Sequence, residues 1–483
     1  MTAVAAAPVT PRRSLDLAWL RERGMGATML VSAISAAFGV LLVSVTGFLG
    51  AMLLADPSFG GSATVAVVVG TLSVLLVSVA VYVASIVTAN TFSTIVAGRT
   101  RRIALMRLIG ASARSQRVEI ARQGLVVGVI GAFVGLVVGV LAAWMLLLWA
   151  PAALDVTVEY SVLQPAIALP AVIVALTTWA AAWAGSRRVL TVTPLEALTG
   201  AADRSMRDVA QARGRHVGVI VLFVIGVVLL ALGVLAGLVS PLGVIIAFFG
   251  GLSSFTGLAL GASLIMPPIL RLTGRAFGGS ATAKLAAENA LRYPERSSRM
   301  AIGVVMGVTL VTMFAVANES VKLLMTASAG GELAPEVGRV LDTFAAVMMG
   351  LVAVSAVIAG VGLVNLLTIG IVQRRRELGL LRSLGLTSGQ IRRMVLLEAT
   401  HVTVTALLFG LLLGIAYGWI AAQSLLGSVR IPPAWSSPTF VAPGIPWIPV
   451  AIVVAATAIL TLVAAVVPTR LATRVAHVEA LTE

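Results

Sequence analysis

The chain has 483 residues, of which 59% are hydrophobic and 11% charged, with no cysteine and a formal net charge of +15. A soluble domain carries about 25% charged residues, so this composition excludes a water-soluble enzyme or binding module. Without cysteine there is neither a disulfide framework nor a sulfur-linked lipid anchor.

Residues 1–26 open with MTAVAAAPVTPRRS, which has no apolar core of its own and reads as a cytoplasmic tail rather than a cleaved signal. Beyond it the apolar residues come in blocks of about 20 or more, the length that crosses a bilayer as a helix. The blocks lack the two-residue alternation of a barrel, which leaves helices as the only spanning structure. About ten spans are expected, near 27–53, 65–93, 124–150, 167–186, 216–238, 242–270, 300–318, 343–372, 396–422 and 446–467. The block at 343–372 exceeds what a bilayer needs and is expected to tilt or project into the cytoplasm. Of the 34 Lys and Arg residues, all but Lys322, Arg339 and Arg430 fall in loops on one side of these spans. Basic loops face the cytoplasm, so both termini are expected there and the positive charge calls for no nucleic-acid partner. The fold class expected is an all-α polytopic membrane protein in a bacterial cytoplasmic membrane.

The chain repeats itself. A shift of 275 residues places Asn90 on Asn365, Arg99 on Arg374, Arg101 on Arg376, Leu105 on Leu380, Arg107 on Arg382, Gly110 on Gly385 and Arg117 on Arg392. The match continues with Gly135 on Gly410, Gly139 on Gly414 and Trp144 on Trp419, and PLEALTG (194–200) answers HVEALTE (477–483). Shared Asn, Arg, Gly and Trp at one displacement indicate an internal duplication. The expected organisation is a tail (1–26), a first four-span repeat (27–200), a linker with two inserted spans (201–285) and a second four-span repeat (286–483). An even-numbered insertion keeps the repeats parallel, related by an axis along the membrane normal.

Within QRRRELGLLRSLG (373–385), Leu378, Leu381 and Leu384 recur every three residues and Leu380 to Leu384 adds a four-residue step. That places an apolar stripe on one helix face, with Arg374, Arg375, Arg376 and Arg382 opposite. Gly385 suits a helix C-terminus, and Thr387 with Gln390 fits a capping box for the next helix. Leu105, Ile109, Gly110 and Ser112 take the same places in the first copy, without the glutamine. The plainer reading is an interfacial helix pinned to lipid headgroups. Two matched helices on one surface also suit docking to a soluble partner with two matched grooves.

Residues 365–399, NLLTIGIVQRRRELGLLRSLGLTSGQIRRMVLLEA, resemble the signature of FtsX-like, or MacB-type, ABC transporter permeases. AAENALRYPERSSRMAIGVVMGVTL (286–310), LFGLLLG (408–414) and the two EALT motifs resemble other landmarks of that family, and the inserted pair of spans resembles its BceB-type branch. The resemblance implies a permease subunit moved by a separate ABC ATPase in two copies, with ATP and Mg used by that partner and no cofactor held by this chain. It implies coupling residues Arg374, Arg375, Arg376, Glu377, Gly379, Arg382 and Gly385 in one copy, and Arg107 and Gly110 in the other. The first copy departs from the pattern, with Arg102 and Ala104 in place of the Glu and the first Gly, so unequal ATPase contacts are expected.

No G-x-x-x-x-G-K-[ST] occurs, and Lys284 and Lys322, the only lysines, lie in no such context. This chain is therefore not expected to be an enzyme. LTSGQ (386–390) feeds a span and is not an ATPase signature. Gly131, Gly135 and Gly139, and again Gly410, Gly414 and Gly418, are spaced to let helices approach closely. Ordinary packing explains them, and a sliding contact along a substrate pathway is the functional alternative. Asn90 and Asn365 are expected to hydrogen-bond across helices, and Glu398 to pair with Arg392, Arg393 or an interfacial water. His216, His401 and His477 sit at loop and span ends with no metal spacing.

The expected outer stretches at 54–64 and 319–342 are too short for a domain. The longest other one, 423–445, is proline-rich with Trp435 and is expected to lie on the membrane surface. Export of a lipophilic or amphiphilic compound, such as an antimicrobial peptide, drug or lipid, follows as the leading expectation, with membrane lipid at hand. The alternative is an ATPase-driven mechanical sensor that signals, for example to a sensor kinase. A secondary transporter with parallel repeats would need charged pairs at mid-membrane, which are nearly absent.

Overall fold

The structure is a computed structural model that describes residues 25–55, 112–154, 160–186, 213–275, 280–292, 294–328, 383–428 and 440–473, with isolated positions between them. Regular structure among these residues is helical, with no strand. In chain order the helices are α1 (Met25–Ala55), α2 (Ala113–Leu154), α3 (Ala168–Gly185), α4 (Arg213–Gly237), α5 (Gly243–Leu260), α6 (Ala262–Gly274), α7 (Ala281–Arg292), α8 (Pro294–Ser328), α9 (Ser388–Leu426) and α10 (Trp447–Thr473).

Seven of them, α1 to α5, α8 and α9, are long and apolar enough to cross a membrane, and α10 adds a shorter apolar stretch, Trp447–Ile459. The protein is a multi-pass helical membrane protein. The expected spans at 65–93 and 343–372 lie outside the described residues apart from single positions such as Tyr82.

One expectation needs correcting. The block 242–270 is not one span: it breaks at Gly261 into α5 and α6, and α6 contains Pro267 and Pro268. Neither proline can donate to the carbonyl four residues back, and each ring crowds that carbonyl. Both prolines lie inside α6, and the break itself falls at Gly261, whose φ −89° and ψ 5° leave the helical region.

Helix packing follows small residues, because lipid tails remove the hydrophobic drive between spans and leave close contact to decide. α1, α2 and α3 pack on one another, as do α8, α9 and α10, while α4 and α5 form a hairpin. In the hairpin, Gly226 faces Ser254, Gly233 faces Ala247, Gly250 faces Leu230 and Gly257 faces Phe223. The hairpin rests on α9, and the elbow α6–α7 packs against α8 and α9. One apolar cluster joins Phe38 and Leu42 of α1, Phe255 of α5, Met266 and Leu270 of α6, and Val305 and Val311 of α8. Of the seven spans α8 is the most enclosed and α4 the least. Phe133, Trp144 and Met145 of α2 and Val217, Val224 and Leu235 of α4 stand exposed, as lipid-facing side chains do.

The end of the stretch 423–445 departs from its expected place on the membrane surface. Val441 is fully buried. Its N–H donates to Gln423 Oε1 at 2.7 Å, and its carbonyl accepts from Trp419 Nε1 at 2.9 Å. Gly444 N–H donates to Ser320 Oγ at 3.0 Å. A buried backbone without regular structure needs side chains to satisfy its polar groups, and α8 and α9 supply them.

Candidate functional site

Arg107, Gly110, Arg374, Arg375, Arg376, Glu377, Gly379, Arg382, Asn90 and Asn365 lie outside the described residues. What is described is the end of the segment 373–385 and the helix that follows it. Leu384 N–H donates to the Leu380 carbonyl at 3.0 Å, and Ser383 Oγ to the same carbonyl at 2.8 Å, closing a last helical turn. Gly385 then takes φ +97°, a left-handed conformation in which a side chain is strained. Thr387 opens α9: its Oγ1 accepts from Gln390 N–H at 3.2 Å while Gln390 Oε1 accepts from Thr387 N–H at 2.8 Å. This is the reciprocal capping box expected from the sequence. Ser112 opens α2 in the same way, with Oγ accepting from Ser115 N–H at 3.1 Å. Thr387→Ala is expected to cost about 1 kcal/mol, read as a lower melting temperature of the purified protein in detergent. A melting temperature equal to wild type would contradict it.

The described leucines of the segment, Leu380 and Leu384, are exposed. Leu380 is 56% exposed and Leu384 71%. Leu105, the match of Leu380, is 47% exposed, with Met106 beside it at 37%. Apolar side chains next to arginines, uncovered by their own chain at two matched places, form a surface that another body can cover.

Behind the cap, one face of α9 is tied down rung by rung. Ile391, Met394 and Val395 pack on Ala286 of α7. Glu398, 7% exposed, accepts from Asn289 Nδ2 of α7 at 2.5 Å. His401 Nε2 is 2.9 Å from the Leu270 carbonyl and 3.1 Å from Thr273 Oγ1 of α6, and Thr405 Oγ1 is 2.6 Å from Thr273 Oγ1. The expected partners of Glu398 are Arg392, Arg393 or an interfacial water; the structure describes a hydrogen bond from Asn289. Side chains five or six positions apart on a helix point roughly 120–140° away from each other, whereas those three or four apart share a face. Arg392 and Arg393 accordingly stand exposed while Glu398 turns inward. His401 is buried on the same face rather than sitting at a span end. Asn289, Thr273 and Thr405 were missed. The signal for them was the spacing of Glu398, His401 and Thr405 on one face of an otherwise apolar helix.

Further along, the two glycine stripes each meet a neighbouring span. A β-carbon on Gly131 would lie 2.7 Å from Ser32 Cβ, one on Gly139 2.8 Å from Val40 Cβ, and one on Gly135 would fall on the Ala33 carbonyl of α1. On α9, a β-carbon at Gly410 would lie 2.9 Å from Val308 Cβ, at Gly414 2.5 Å from Thr312 Cβ, and at Gly418 2.8 Å from Val316 Cβ of α8. Each stripe therefore seats against successive turns of one helix. Thr309 Oγ1 adds a hydrogen bond to the Gly410 carbonyl at 3.2 Å.

No group of three or more His, Cys, Asp or Glu side chains suited to a metal occurs among the described residues. The arrangement is an exposed apolar segment, a capped helix start, and a span packed closely on its neighbours.

The family model described as "FtsX-like permease C-terminal" matches residues 74–191 and 349–476, together just over half of the chain. The two matches begin at the displacement that carries Asn90 onto Asn365. Over 95 residues the chain is 32% identical to the "Uncharacterized ABC transporter permease YknZ" of Bacillus subtilis, covering 20% of this chain and 23% of that one. Over 102 residues it is 30% identical to the "Macrolide export ATP-binding/permease protein MacB" of Rhodopirellula baltica, covering 20% and 15%. A MacB of the same description from Bordetella avium is 25% identical over 95 residues, covering 20% and 14%. The chain thus spans less than a quarter of the length of the curated relatives it matches.

Proposed function

Because the chain belongs to the FtsX-like family of ABC transporter permeases, we propose that it is the membrane subunit of a transporter whose power stroke comes from a separate ABC ATPase. Permeases of this type work with ABC ATPases in general. The observation that carries the reading is the pair of matched, outward-facing apolar positions, Leu105 and Leu380. Each precedes a capped third span whose glycines are seated on a neighbour.

Two ATPases, one per segment, bind ATP and Mg and close on each other. The segments are driven together, and the rigid turn at Gly385 with the cap at Thr387 passes the displacement into α9. The two repeats, parallel and joined by the inserted hairpin, rock against each other in the bacterial cytoplasmic membrane. The cargo is a lipophilic or amphiphilic compound that enters sideways from the bilayer. The shortness of the expected outer stretches at 54–64 and 319–342, which leaves no room for a soluble receptor domain, supports that choice.

The test is a tagged pull-down from native host membranes in mild detergent, comparing wild type with an Arg382→Glu, Gly385→Pro double variant. An ABC ATPase is expected with the wild type and lost with the variant. Recovery of no ATPase with either protein would overturn the reading and leave the arginines as headgroup anchors.

A further inference from the structure

The inserted hairpin touches both halves of the molecule through three consecutive residues of α5. Thr256 Oγ1 is 2.7 Å from the Tyr82 hydroxyl, which also donates to the Leu252 carbonyl at 3.2 Å. Ser254 Oγ is 2.9 Å from the Tyr417 hydroxyl of α9. Between them Phe255, 7% exposed, sets its ring against both tyrosines, with centroids 6.5 Å from each. Tyr82 belongs to the expected second span of the first repeat and Tyr417 to the third span of the second. One short stretch of the insertion therefore bridges the two halves.

The two attachments differ in kind. On α9 the hairpin is held twice, once at Tyr417 and again at its far end. There a β-carbon on Gly237 would lie 2.5 Å from Ser424 Cα, and one on Gly427 3.0 Å from the Gly237 carbonyl. Such backbone approach fixes one helix on another. Among the described residues, the directional contact toward the first half is the hydroxyl cluster at Tyr82, and beside it lie aromatic edge packing and the apolar cluster that includes Phe38 and Leu42 of α1. Apolar surfaces slide with little change in energy, whereas a hydrogen bond in a low-dielectric interior is either made or lost. That makes the Tyr82 contact a two-state element.

We propose that the inserted hairpin travels with the second half, and that the Tyr82–Thr256 hydrogen bond is a latch between the halves, closed in this conformation and opened when they rock. The proposal rests on the ATP-driven reading above and adds to it the place where the halves part.

The chain has no cysteine, so introduced pairs can be cross-linked without background. The pairs are Tyr82→Cys with Thr256→Cys, and Ser254→Cys with Tyr417→Cys, each in host membranes that retain the co-purifying ATPase. Cross-linking with a short bis-methanethiosulfonate, which joins the two thiols through disulfides that a reductant can break, is compared without nucleotide and after trapping with ATP and vanadate. The 82–256 yield is expected to fall on the order of tenfold on trapping, as a two-state contact shifts its population, while the 254–417 yield holds constant. Closing the 82–256 link is expected to stop ATP turnover, and reductant to restore it. Tyr82→Phe keeps the ring and its packing on Phe255 while removing the hydroxyl, and is expected to raise basal ATP turnover several-fold; Tyr417→Phe leaves it at the wild-type rate. Equal responses of the two pairs, or of the two phenylalanine variants, overturn the latch while leaving the ATPase-driven reading intact. Absence of any co-purifying ATP hydrolysis overturns both.

Discussion

Valine in place of Gly135 or Gly414 is expected to be among the most damaging single substitutions in the membrane-embedded part of the chain. A β-carbon at Gly135 would overlap the Ala33 carbonyl, and one at Gly414 would come within 2.5 Å of Thr312 Cβ. Neither obstacle is the free end of a flexible side chain, so α2 would have to move off α1, and α9 off α8. Overpacking of this kind costs about 1–3 kcal/mol. Here the loss is compounded, because separating two spans also surrenders the dispersion contacts along the whole stripe. Gly218 and Gly251 provide the control, since a β-carbon at either meets nothing within 4 Å. Thermal melting in detergent, followed by the monodisperse peak on size exclusion, should show a large drop for the first pair and almost none for Gly218→Ala or Gly251→Ala. Similar melting across all four would mean that the stripes are not the contacts that hold these spans together.

The second large effect is expected at Asn289. Replacing it with leucine removes a donor from the buried carboxylate of Glu398. A buried acceptor that loses a donor costs about 1–3 kcal/mol. The same change loosens α7 from the face of α9 that begins at the capping box. Glu398→Leu alone strands Asn289 in turn. The double variant is expected to lose less stability than the sum of the two single variants, and the difference reports the interaction between them. Melting temperatures of the four proteins close the cycle. Strict additivity would remove this contact as a brace of α9.

Run length and turn chemistry made much of the fold legible. The apolar blocks located helices, Thr387 with Gln390 announced a capping box, Gly385 announced a helix stop, and the glycines at four-residue spacing announced close approaches. What periodicity cannot show is the partner. The stripes on α2 and α9 are visible in one dimension, but that they seat on α1 and α8 is a fact of the folded chain. Glu398 illustrates the limit: local rules offered Arg392 and Arg393, while the partner comes from 109 residues away. The break at Gly261 stayed hidden because an apolar run looks continuous whether or not the helix within it is. The docking of Val441 was invisible for the opposite reason, since a proline-rich, non-periodic stretch carries no signal of what its backbone will bond to. Of the candidate coupling residues, Gly385 is the one whose conformation is described, and its positive φ is the property for which glycine was singled out.

The seat of Val441 and Gly444 has a consequence for how the molecule is made. Their backbone groups are completed by Gln423 and Trp419 at the end of α9 and by Ser320 near the end of α8. Synthesis runs from the N-terminus, so both receptor helices are made before residues 440–446. These residues are at first tethered only through α9, and α10 has still to enter. Closure of this seat is therefore a late event of biogenesis. A chain that ends before residue 440 leaves the polar side chains of Ser320 and Gln423 without these backbone partners.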